Sequence, residues 1–502
     1  MTKEHKTDNL ILLLMALGAV IVHISLNGQY GFHRDELDFI MNARQLDWGY
    51  VSYPPITPFF ARIGLELFGE SLRGLRVLPA IAQGIVMILA ALIARDMGGK
   101  RNAQILTAFA VFIAPMSLFG GTVIMYFALD YMWWVLVAFF MVRLLATDDA
   151  RYWLGIGTGI GLGMMTKYTM GFFVAGLVVA VLVTPARRYL KSKWLYLGAA
   201  LALLIFLPNL IWQYQHDFIA FDYLSAIHAR DVDWGRADEF LPEQLYLTTN
   251  PLSLPLWTVG LSLCLFSVSM KRFRTLGWMF IVTFVLFLIN QGRGYYTGPA
   301  YVMLLAAGCV WFESWFGTLN QKKRQIGFGL LWTTQVIGSL IGVILMKPIA
   351  PINSPLWDVT TGVTDDLFTE MVGWQEMTAQ VAEIYQSIPE SEKPRTVVLA
   401  GNYGEAGALD LYGDEYGLPR IISGGNSYWY RGYGDSEPET VIVVGFEGDY
   451  ARRFFKSCEF SGTVKNSYNV KNEETTYYTG LYICREPRQA WSEMWQEMQW
   501  YQ

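Results

Sequence analysis

Residues 124–146 read IMYFALDYMWWVLVAFFMVRLLA, an apolar stretch in which the only charged residues are Asp130 and Arg143. A helix needs about 20 mostly apolar residues to cross the hydrocarbon core of a bilayer, so this stretch predicts a membrane-spanning helix. A carboxylate at the centre of such a helix costs about 2.5–3.5 kcal/mol. Asp130 therefore either faces a polar cavity near the membrane surface, or is a structural acid satisfied by its neighbours.

Similar apolar runs recur through the first 346 residues. They predict about eleven spans, at approximately 9–27, 77–97, 103–121, 124–146, 153–166, 169–185, 194–212, 252–270, 276–290, 297–317 and 326–346. When 153–185 is taken as two short spans, all six basic clusters fall on the side of the N-terminus. Lysine and arginine are enriched in cytoplasmic loops, so we expect a cytoplasmic N-terminus and an extracytoplasmic C-terminus. The chain is predicted to be a multi-pass protein of a bacterial inner membrane, whose first apolar run is retained as a span.

Composition and charge agree with this class. Of the 502 residues, 53% are hydrophobic and only 16% are charged, against about 25% in a soluble globular protein. The net charge of −5 and the lack of a basic stripe argue against nucleic acid as a partner. Charge is unevenly distributed, with −11 over residues 347–502 and +6 over residues 1–346. We therefore predict two domains, a membrane domain at 1–346 and a polar domain at 347–502.

The glycines at 155, 159 and 163 are spaced four residues apart, which is typical of closely packed membrane helices. They do not match the G-x-G-x-x-G pattern of a dinucleotide-binding loop. Of the four cysteines, Cys264 and Cys309 stand in predicted spans and are interpreted as buried small hydrophobes. Cys458 and Cys484 stand in the polar domain, where an oxidising compartment would permit a disulfide, although the sequence does not show that they are close.

The first loop, residues 28–76, carries an acidic cluster next to the predicted membrane surface. Asp35 lies in the segment Gly31-Phe32-His33-Arg34-Asp35-Glu36-Leu37-Asp38. The apolar positions that follow predict an amphipathic helix lying along the membrane interface. Acidic residues at its start can simply stabilise the helix terminus. Alternatively, Asp35 stands where a lipid head group would lie and accepts a proton from an attacking hydroxyl group.

Two isolated cations, Lys167 and Arg293, are predicted on the same outer face, against the usual distribution of positive charge. They are either interfacial anchors or ligands of a lipid phosphate, for which arginine offers a bidentate fork and lysine a point charge. Together with Asp35 and Asp130 they favour glycosyl transfer from a polyprenyl-phosphate sugar. The cations would stabilise the negative charge that develops on the departing phosphate.

These residues lie within motifs that resemble a known family. The matching segments are Arg34-Asp35-Glu36, Trp48-Gly49-Tyr50 with Tyr53-Pro54-Pro55, Phe127 to Asp130, Gly163 to Tyr168, Tyr295-Tyr296 to Tyr301, Tyr403 to Leu409, and Gly417 to Trp429. The chain is similar to the bacterial membrane glycosyltransferases that resemble dolichyl-phosphate-mannose protein mannosyltransferases (glycosyltransferase family 39). These have the GT-C fold and include aminoarabinose and galacturonic acid transferases that modify lipid A.

The resemblance implies that Asp35 is the catalytic acidic residue of the first loop and that Asp130 is the second acid. It also implies phosphate binding by Lys167 and Arg293. Candidate substrate-binding residues in the matching segments are Arg34, Glu36, Tyr53, Tyr295 and Tyr296. Tyr53 stands where aminoarabinose transferases have a lysine, and Asp130 lacks the Asn-rich or Asp-Pro surroundings common in the family.

The polar domain is predicted to be α/β. Residues 397–400 and 441–444 are short apolar runs typical of buried strands, 477–484 predicts a late strand, and 365–388 a helix. The glycine-rich, aromatic segment 424–431 either stacks on sugars or packs against the membrane domain. We interpret Glu405, Asn426 and Trp429 as candidate substrate contacts.

The predicted function is a membrane glycosyltransferase with a polyprenyl-phosphate sugar as donor and a lipid, glycan or protein as acceptor. Membrane lipids are the other expected partners. No cofactor is predicted, and two carboxylates are only weak evidence for a divalent metal. A flippase for lipid-linked sugars is the alternative, since it also needs many spans and phosphate-binding cations. A scaffold is a third interpretation, but it leaves the acid within the apolar run unexplained.

Overall fold

The computed structural model describes residues 3–364 and 366–502. Its first part is helical. The helices of the N-terminal region and the first loop are α1 Lys3–Leu26, α2 Arg34–Arg44, α3 Ile56–Phe68 and α4 Leu72–Leu75. The remaining helices of the first part are α5 Val77–Asp96, α6 Arg101–Phe112, α7 Pro115–Gly120, α8 Tyr126–Thr147, α9 Tyr152–Met164, α10 Met170–Val183, α11 Lys193–Gln215, α12 Ile219–Asp233, α13 Phe240–Tyr246, α14 Leu254–Phe266, α15 Arg274–Ile289, α16 Tyr301–Gly317 and α17 Gln321–Met346.

Within the described residues, seven helical segments are long and apolar enough to cross a membrane. They are Lys6–Leu26, Leu72–Asp96, Tyr126–Thr147, Lys193–Gln215, Lys271–Ile289, Gly294–Gly317 and Gln321–Met346. An eighth arises if α10 is joined to the short helix Pro185–Lys191, from which it is bent by 99°. The chain is thus a multi-pass membrane protein, whereas the count of eleven spans stays a prediction.

Helices occupy the other predicted spans but are short. One predicted span, 103–121, is broken into α6 and α7 where Pro115 begins α7, because proline has no amide hydrogen to continue the preceding helix. Helix α9 packs closely on α8, where a Cβ atom on Gly155 would lie 2.6 Å from Phe140 and one on Gly159 2.8 Å from Val137. It also packs on α11, where a Cβ atom on Gly157 would overlap the backbone of Gly198. Close packing therefore explains this glycine-rich helix, as predicted.

The C-terminal domain contains one mixed sheet. Its elements in chain order are α18 Pro355–Thr364, α19 Trp374–Ser387, β1 Thr396–Ala400, α20 Tyr403–Tyr412, β2 Ile421–Ser423, β3 Thr440–Val444, α21 Gly448–Phe454, β4 Phe455–Thr463, α22 Glu473–Thr476, β5 Gly480–Pro487 and α23 Trp491–Glu497. The strand order is β2-β1-β3-β5-β4. Strand β1 is parallel to β2 and β3, whereas β5 is antiparallel to β3 and β4.

The α/β prediction for this domain is confirmed, with β1, β3 and β5 near their predicted positions. The predicted helix 365–388 begins only at Trp374, and Asp365 lies outside the described residues. Cys458 and Cys484 face each other on β4 and β5 and form a disulfide. Cys264 and Cys309 are buried and free, as expected for small apolar side chains.

The apolar face of α2, predicted to lie along the membrane interface, is covered by protein. Its residues from Glu36 to Ala43 are all buried. Leu37 and Ile40 share a hydrophobic core with Val398 and Ile442 of the sheet. Its apolar side chains are therefore covered by the C-terminal domain instead of lipid. A sequence pattern shows that a helix face is apolar but not which apolar surface covers it.

Candidate active site

Lys167 lies in the turn between α9 and α10, inside a cage of aromatic rings. Its Nζ atom is 3.8 Å from the ring centre of Tyr296 and 4.1 Å from that of Tyr126. The rings of Phe127 and Tyr295 lie at 5.2 and 5.8 Å. No carboxylate in the described part of the chain forms an ion pair with this ammonium group, although Asp35 and Asp130 both act on it electrostatically. The arrangement leaves Lys167 free to bind an anion.

Asp35 is placed by the first turn of α2. The preceding His33 caps this helix, and its ring accepts a hydrogen bond from the Asp35 backbone N–H at 3.1 Å. The Asp35 carboxylate accepts a 2.6 Å hydrogen bond from the hydroxyl of Tyr403, at the start of α20. Burial and the nearby Asp35 raise the pKa of Tyr403 well above its usual value, so Tyr403 stays protonated and remains a donor. The C-terminal domain thus orients a side chain of the first loop.

Asp130 lies in the second turn of α8 and is 7% exposed. The indole N–H of Trp134 donates a 3.0 Å hydrogen bond to it. Tyr126 and Phe127, which precede Asp130 on α8, line the cage around Lys167. Phe39 of α2, four residues after Asp35, packs on Tyr126 with ring centres 5.7 Å apart. The helices that carry Asp35 and Asp130 therefore both contact the cage around Lys167.

Arg293, the fourth predicted charged residue, forms an ion pair with Asp231. Its Nε and Nη2 atoms donate to both carboxylate oxygens of Asp231 in α12, at 2.6 and 2.9 Å. Its Nη1 atom donates to the hydroxyl of Tyr295 at 3.2 Å. The bidentate face predicted for a phosphate is thus occupied by a carboxylate, and Nη1 remains next to the aromatic cage. Glu243 of α13 accepts the backbone N–H of Tyr295 at 3.0 Å, which helps to hold this segment.

Arg34 and Glu36 have charged partners within the protein, and their role as substrate contacts stays a prediction. Arg34 forms ion pairs with three carboxylates of the C-terminal domain, from Glu370, Glu473 and Glu474, at 2.7, 2.6 and 3.2 Å. Burial raises the pKa of Glu370 to about 8, although Arg34 opposes this shift.

Glu36 is fully buried and pairs at 2.5 Å with Arg76, which is also fully buried. Its carboxylate accepts the backbone N–H groups of His33 and Ile124, each at 2.8 Å. Both of its oxygens therefore accept hydrogen bonds within the protein.

Tyr53 is also buried. Its hydroxyl donates to Asp38 at 2.5 Å and accepts from Asn42 at 2.6 Å, both in α2. Burial raises the pKa of Asp38 to about 6. Tyr53 therefore connects the two halves of the first loop, and its role as a substrate contact stays a prediction.

The three candidates in the C-terminal domain also have internal partners. Glu405 is buried, and its carboxylate caps α20 by accepting the backbone N–H groups of Gly401 and Asn402 at 2.9 and 3.1 Å. Burial raises its pKa to about 8. The side chain of Asn426 forms two hydrogen bonds with the backbone of Gln502, at 3.2 and 3.1 Å.

The indole of Trp429 donates to the carbonyl of Trp495 at 2.8 Å, and the Trp495 indole donates back to the Trp429 carbonyl at 3.0 Å. Nearby, the Ser427 hydroxyl accepts the backbone N–H of Val51 at 3.1 Å. Segment 424–431 therefore packs against the first loop. The packing role is thus seen in the structure, whereas stacking on a sugar stays a prediction.

Comparison with known proteins supports the interpretation of the motifs. Residues 52–212 match the family model described as dolichyl-phosphate-mannose-protein mannosyltransferase. The predicted resemblance is confirmed. This family segment runs from the first loop to α11 and contains Asp130 and Lys167, whereas Asp35 precedes it.

Two curated relatives illustrate the resemblance. Lipid A galacturonosyltransferase RgtD of Rhizobium johnstonii is 31% identical over 192 residues, which cover 37% of this chain and 39% of the relative. Undecaprenyl phosphate-alpha-4-amino-4-deoxy-L-arabinose arabinosyl transferase 1 of Pseudomonas fluorescens is 27% identical over 199 residues, covering 37% of this chain and 32% of the relative. The similarity thus spans less than half the length of each relative.

Solved structures show the fold. ArnT from Cupriavidus metallidurans bound to undecaprenyl phosphate matches with a TM-score of 0.56 and 15% identity, over 94% of this chain and 97% of that chain. The Archaeoglobus fulgidus oligosaccharyltransferase in complex with Zn and sulfate matches with a TM-score of 0.52 and 12% identity. The match covers 88% of this chain and 68% of that chain. The chain therefore has the GT-C fold with a C-terminal sheet domain.

Several residues that complete the site had no predicted role. Phe127 stands within the family motif that contains Asp130, Tyr126 directly precedes that motif, and Tyr403 stands within a motif of the C-terminal domain. Aromatic side chains beside each charged candidate are the only sequence feature that could have pointed to these residues. Similar aromatic residues occur throughout a membrane protein, so this feature is not specific. No group of three or more His, Cys, Asp or Glu side chains suited to a metal ion is found in residues 3–364 and 366–502.

Proposed function

We propose that the protein is a membrane glycosyltransferase that moves a sugar from a polyprenyl-phosphate donor to an acceptor. The observation that carries the proposal is Lys167, a caged cation without a carboxylate partner among the described residues. Its cage contacts α2, the helix that carries Asp35, through Phe39 and Tyr126. A cation in a partly desolvated site binds an anion more strongly than one in water. A flippase would also use such a cation, but it would have no need of a carboxylate held ready by Tyr403.

The proposed reaction uses Lys167 to hold the donor phosphate, assisted by the Nη1 edge of Arg293. Asp35 accepts the proton of the acceptor hydroxyl group as its oxygen attacks the anomeric carbon. The bond between that carbon and the phosphate oxygen breaks, and polyprenyl phosphate leaves with the bonding electrons. Lys167 stabilises the charge that develops on the phosphate. Asp130 acts through Lys167, because its own carboxylate is buried against Trp134.

The names of similar proteins support this donor class and suggest acceptors. The relatives are described as transferring galacturonosyl or aminoarabinosyl groups, and one acts on lipid A. The solved ArnT structure is bound to undecaprenyl phosphate. We infer a polyprenyl-phosphate sugar as the donor, and lipid A, another envelope glycan or a protein as the acceptor.

We also propose that this reaction occurs at the outer face of the bacterial inner membrane. The proposal comprises eleven spans, a cytoplasmic N-terminus and an extracytoplasmic C-terminal domain. The distribution of positive charge supports it, as does the disulfide between Cys458 and Cys484, since disulfides persist in oxidising compartments.

The test is release of polyprenyl phosphate by purified protein supplied with a panel of polyprenyl-phosphate sugars and an envelope lipid extract. We expect Asp35→Asn to reduce release by at least about 100-fold, because a positioned base contributes about 10²–10⁴-fold. Asp233→Asn, which changes an exposed carboxylate of α12, is the matched control and should leave the rate unchanged. Equal rates for Asp35→Asn and the native protein would contradict the assigned base. Movement of lipid-linked sugar across liposomes without any release would establish the flippase instead.

A further inference from the structure

A polar cavity lies apart from the aromatic cage. It is in the C-terminal domain, next to the end of α2, and has a volume of about 410 Å³. Small-molecule sites commonly measure about 300–1,000 Å³, so the cavity is large enough for a ligand. The side chains that define its chemistry are Gln45, Asp410, Asp414, Arg420, Tyr428 and Arg431.

The lining offers both donors and acceptors. Arg431 lies 4.1 Å from the ring centre of Tyr428 and donates through Nη2 to Asn42 at 2.8 Å. Tyr428 donates to one oxygen of Asp410 at 2.9 Å. Within the described chain, the other oxygen of Asp410 and the whole carboxylate of Asp414 have no hydrogen-bond partner. Two arginines and two aspartates balance in charge, which suits a hydroxyl-rich ligand better than a strongly charged one.

The position of the cavity relates it to the candidate active site. Asp35 stands in the first turn of α2 and Gln45 at its end, so the two are about 15 Å apart along the helix. Arg431 of the cavity donates to Asn42 of the same helix, and Asn42 in turn donates to Asp38 at 3.1 Å. Beside Gln45, Asp47 accepts a 2.7 Å hydrogen bond from Trp212 near the end of α11. The cavity therefore lies close to the end of a membrane-spanning helix.

We propose that this cavity binds a carbohydrate unit of the acceptor, several sugar units away from the hydroxyl group that attacks the donor. The proposal rests on the proposed function, because it assumes that an acceptor glycan reaches Asp35. Carboxylates accept hydrogen bonds from the sugar hydroxyls, while the guanidinium groups and the Gln45 amide donate to sugar oxygens. The cavity would select acceptors that carry an extended glycan over those with a single sugar.

Asp414→Arg provides the test, and Glu415→Arg is its matched control. Both acids are exposed on the short helix Gly413–Tyr416, but only Asp414 lines the cavity. The probe is the oligosaccharide of deacylated lipopolysaccharide, and its binding to full-length protein is measured by calorimetry without donor. We expect Asp414→Arg to weaken binding at least about tenfold and to raise KM for intact lipopolysaccharide, with kcat retained. Glu415→Arg should behave as the native protein. Gln45→Trp, which fills the cavity from α2, should also weaken binding.

The outcomes separate this proposal from the proposed function. No binding of the probe by native protein, equal binding by Asp414→Arg, or equal loss in both arginine variants would overturn the carbohydrate site. Selective loss in Asp414→Arg, in a protein that releases no polyprenyl phosphate from any donor, would uphold the carbohydrate site while refuting the transferase.

Discussion

At Lys167, surroundings rather than residue type decide the chemistry. The same ammonium group on a surface would be hydrated and of little consequence. Here four aromatic rings replace much of its water, and the faces of such rings attract cations. Because the rings bring no negative charge, the site keeps its affinity for a phosphate.

We expect Lys167→Gln to lower kcat/KM for the polyprenyl-phosphate donor by about 10- to 150-fold. The loss corresponds to about 1.5–3 kcal/mol for a hydrogen bond to a charged group. Lys167→Arg, which keeps the charge, should recover part of the activity. The control is Lys193→Gln, since Lys193 lies over the single ring of Trp194 at 5.5 Å, far from Asp35 in the chain. Similar losses for both glutamine variants, measured as steady-state rates, would argue against a phosphate contact at Lys167.

The opposite case is Arg34, which stands beside Asp35 in sequence but forms ion pairs with other parts of the chain. Three carboxylates more than 300 residues later in the chain surround its guanidinium group. Such a partner set cannot be deduced from neighbouring residues. A charged residue next to a catalytic candidate is therefore poor evidence for substrate binding.

At the scale of single elements, α2 carries the catalytic candidate and joins the two domains. It begins with a capping box formed by His33 and Glu36, which fixes the first turn. Its buried side chains then enter the core of the C-terminal domain. The position of Asp35 thus depends on a rigid helix held at several points.

We expect Glu36→Gln to lower the free energy of unfolding by about 3–5 kcal/mol, because it leaves the buried Arg76 without a counter-charge. The control is Glu66→Gln, which breaks an exposed pair with Arg62 within α3. Exposed pairs contribute about 0–1 kcal/mol, so this variant should remain close to native. Denaturant titration in detergent, followed by tryptophan fluorescence, measures both. A loss below about 1 kcal/mol for Glu36→Gln would show that the pair does not hold α2.

At the scale of the whole molecule, the two predicted domains share contacts over a wide area. The buried Lys347, which follows α17, contacts His23 of α1 and donates to Thr122 at 2.7 Å. The sheet packs on the first loop through a common core. The C-terminal domain therefore forms part of the candidate site, because its Tyr403 donates a hydrogen bond to Asp35.

The disulfide provides a test of orientation and stability. Cys458 and Cys484 are 26 positions apart in the chain. Loss of the disulfide should therefore destabilise the C-terminal domain by about 3.5 kcal/mol in a chain-entropy model. In spheroplasts, a membrane-impermeant maleimide should label the protein only after reduction. Replacing the buried Cys264 and Cys309 by serine should leave that labelling unchanged. Labelling that requires permeabilised membranes would place the domain in the cytoplasm and contradict the proposed orientation.

Much of the fold follows from local sequence. Long apolar runs mark helices because lipid requires them, and the runs at 397–400 and 441–444 mark strands because both faces of the central sheet are buried. The sequence does not predict strand β4, because this strand lies at the sheet edge, is largely exposed and has no apolar pattern. The candidate residues Asp35, Asp130 and Lys167 were also found locally, as charges beside or within apolar segments.

Only the tertiary structure decided which of these charges are free. Arg34, Glu36 and Arg293 are as polar in sequence as Lys167, yet each is paired with side chains distant in the chain. Burial makes an unpaired charge costly, so folding pairs most charges with whatever opposite charge the topology brings near. Sequence shows where charges stand along the chain. The folded contacts determine which ones remain available for a substrate.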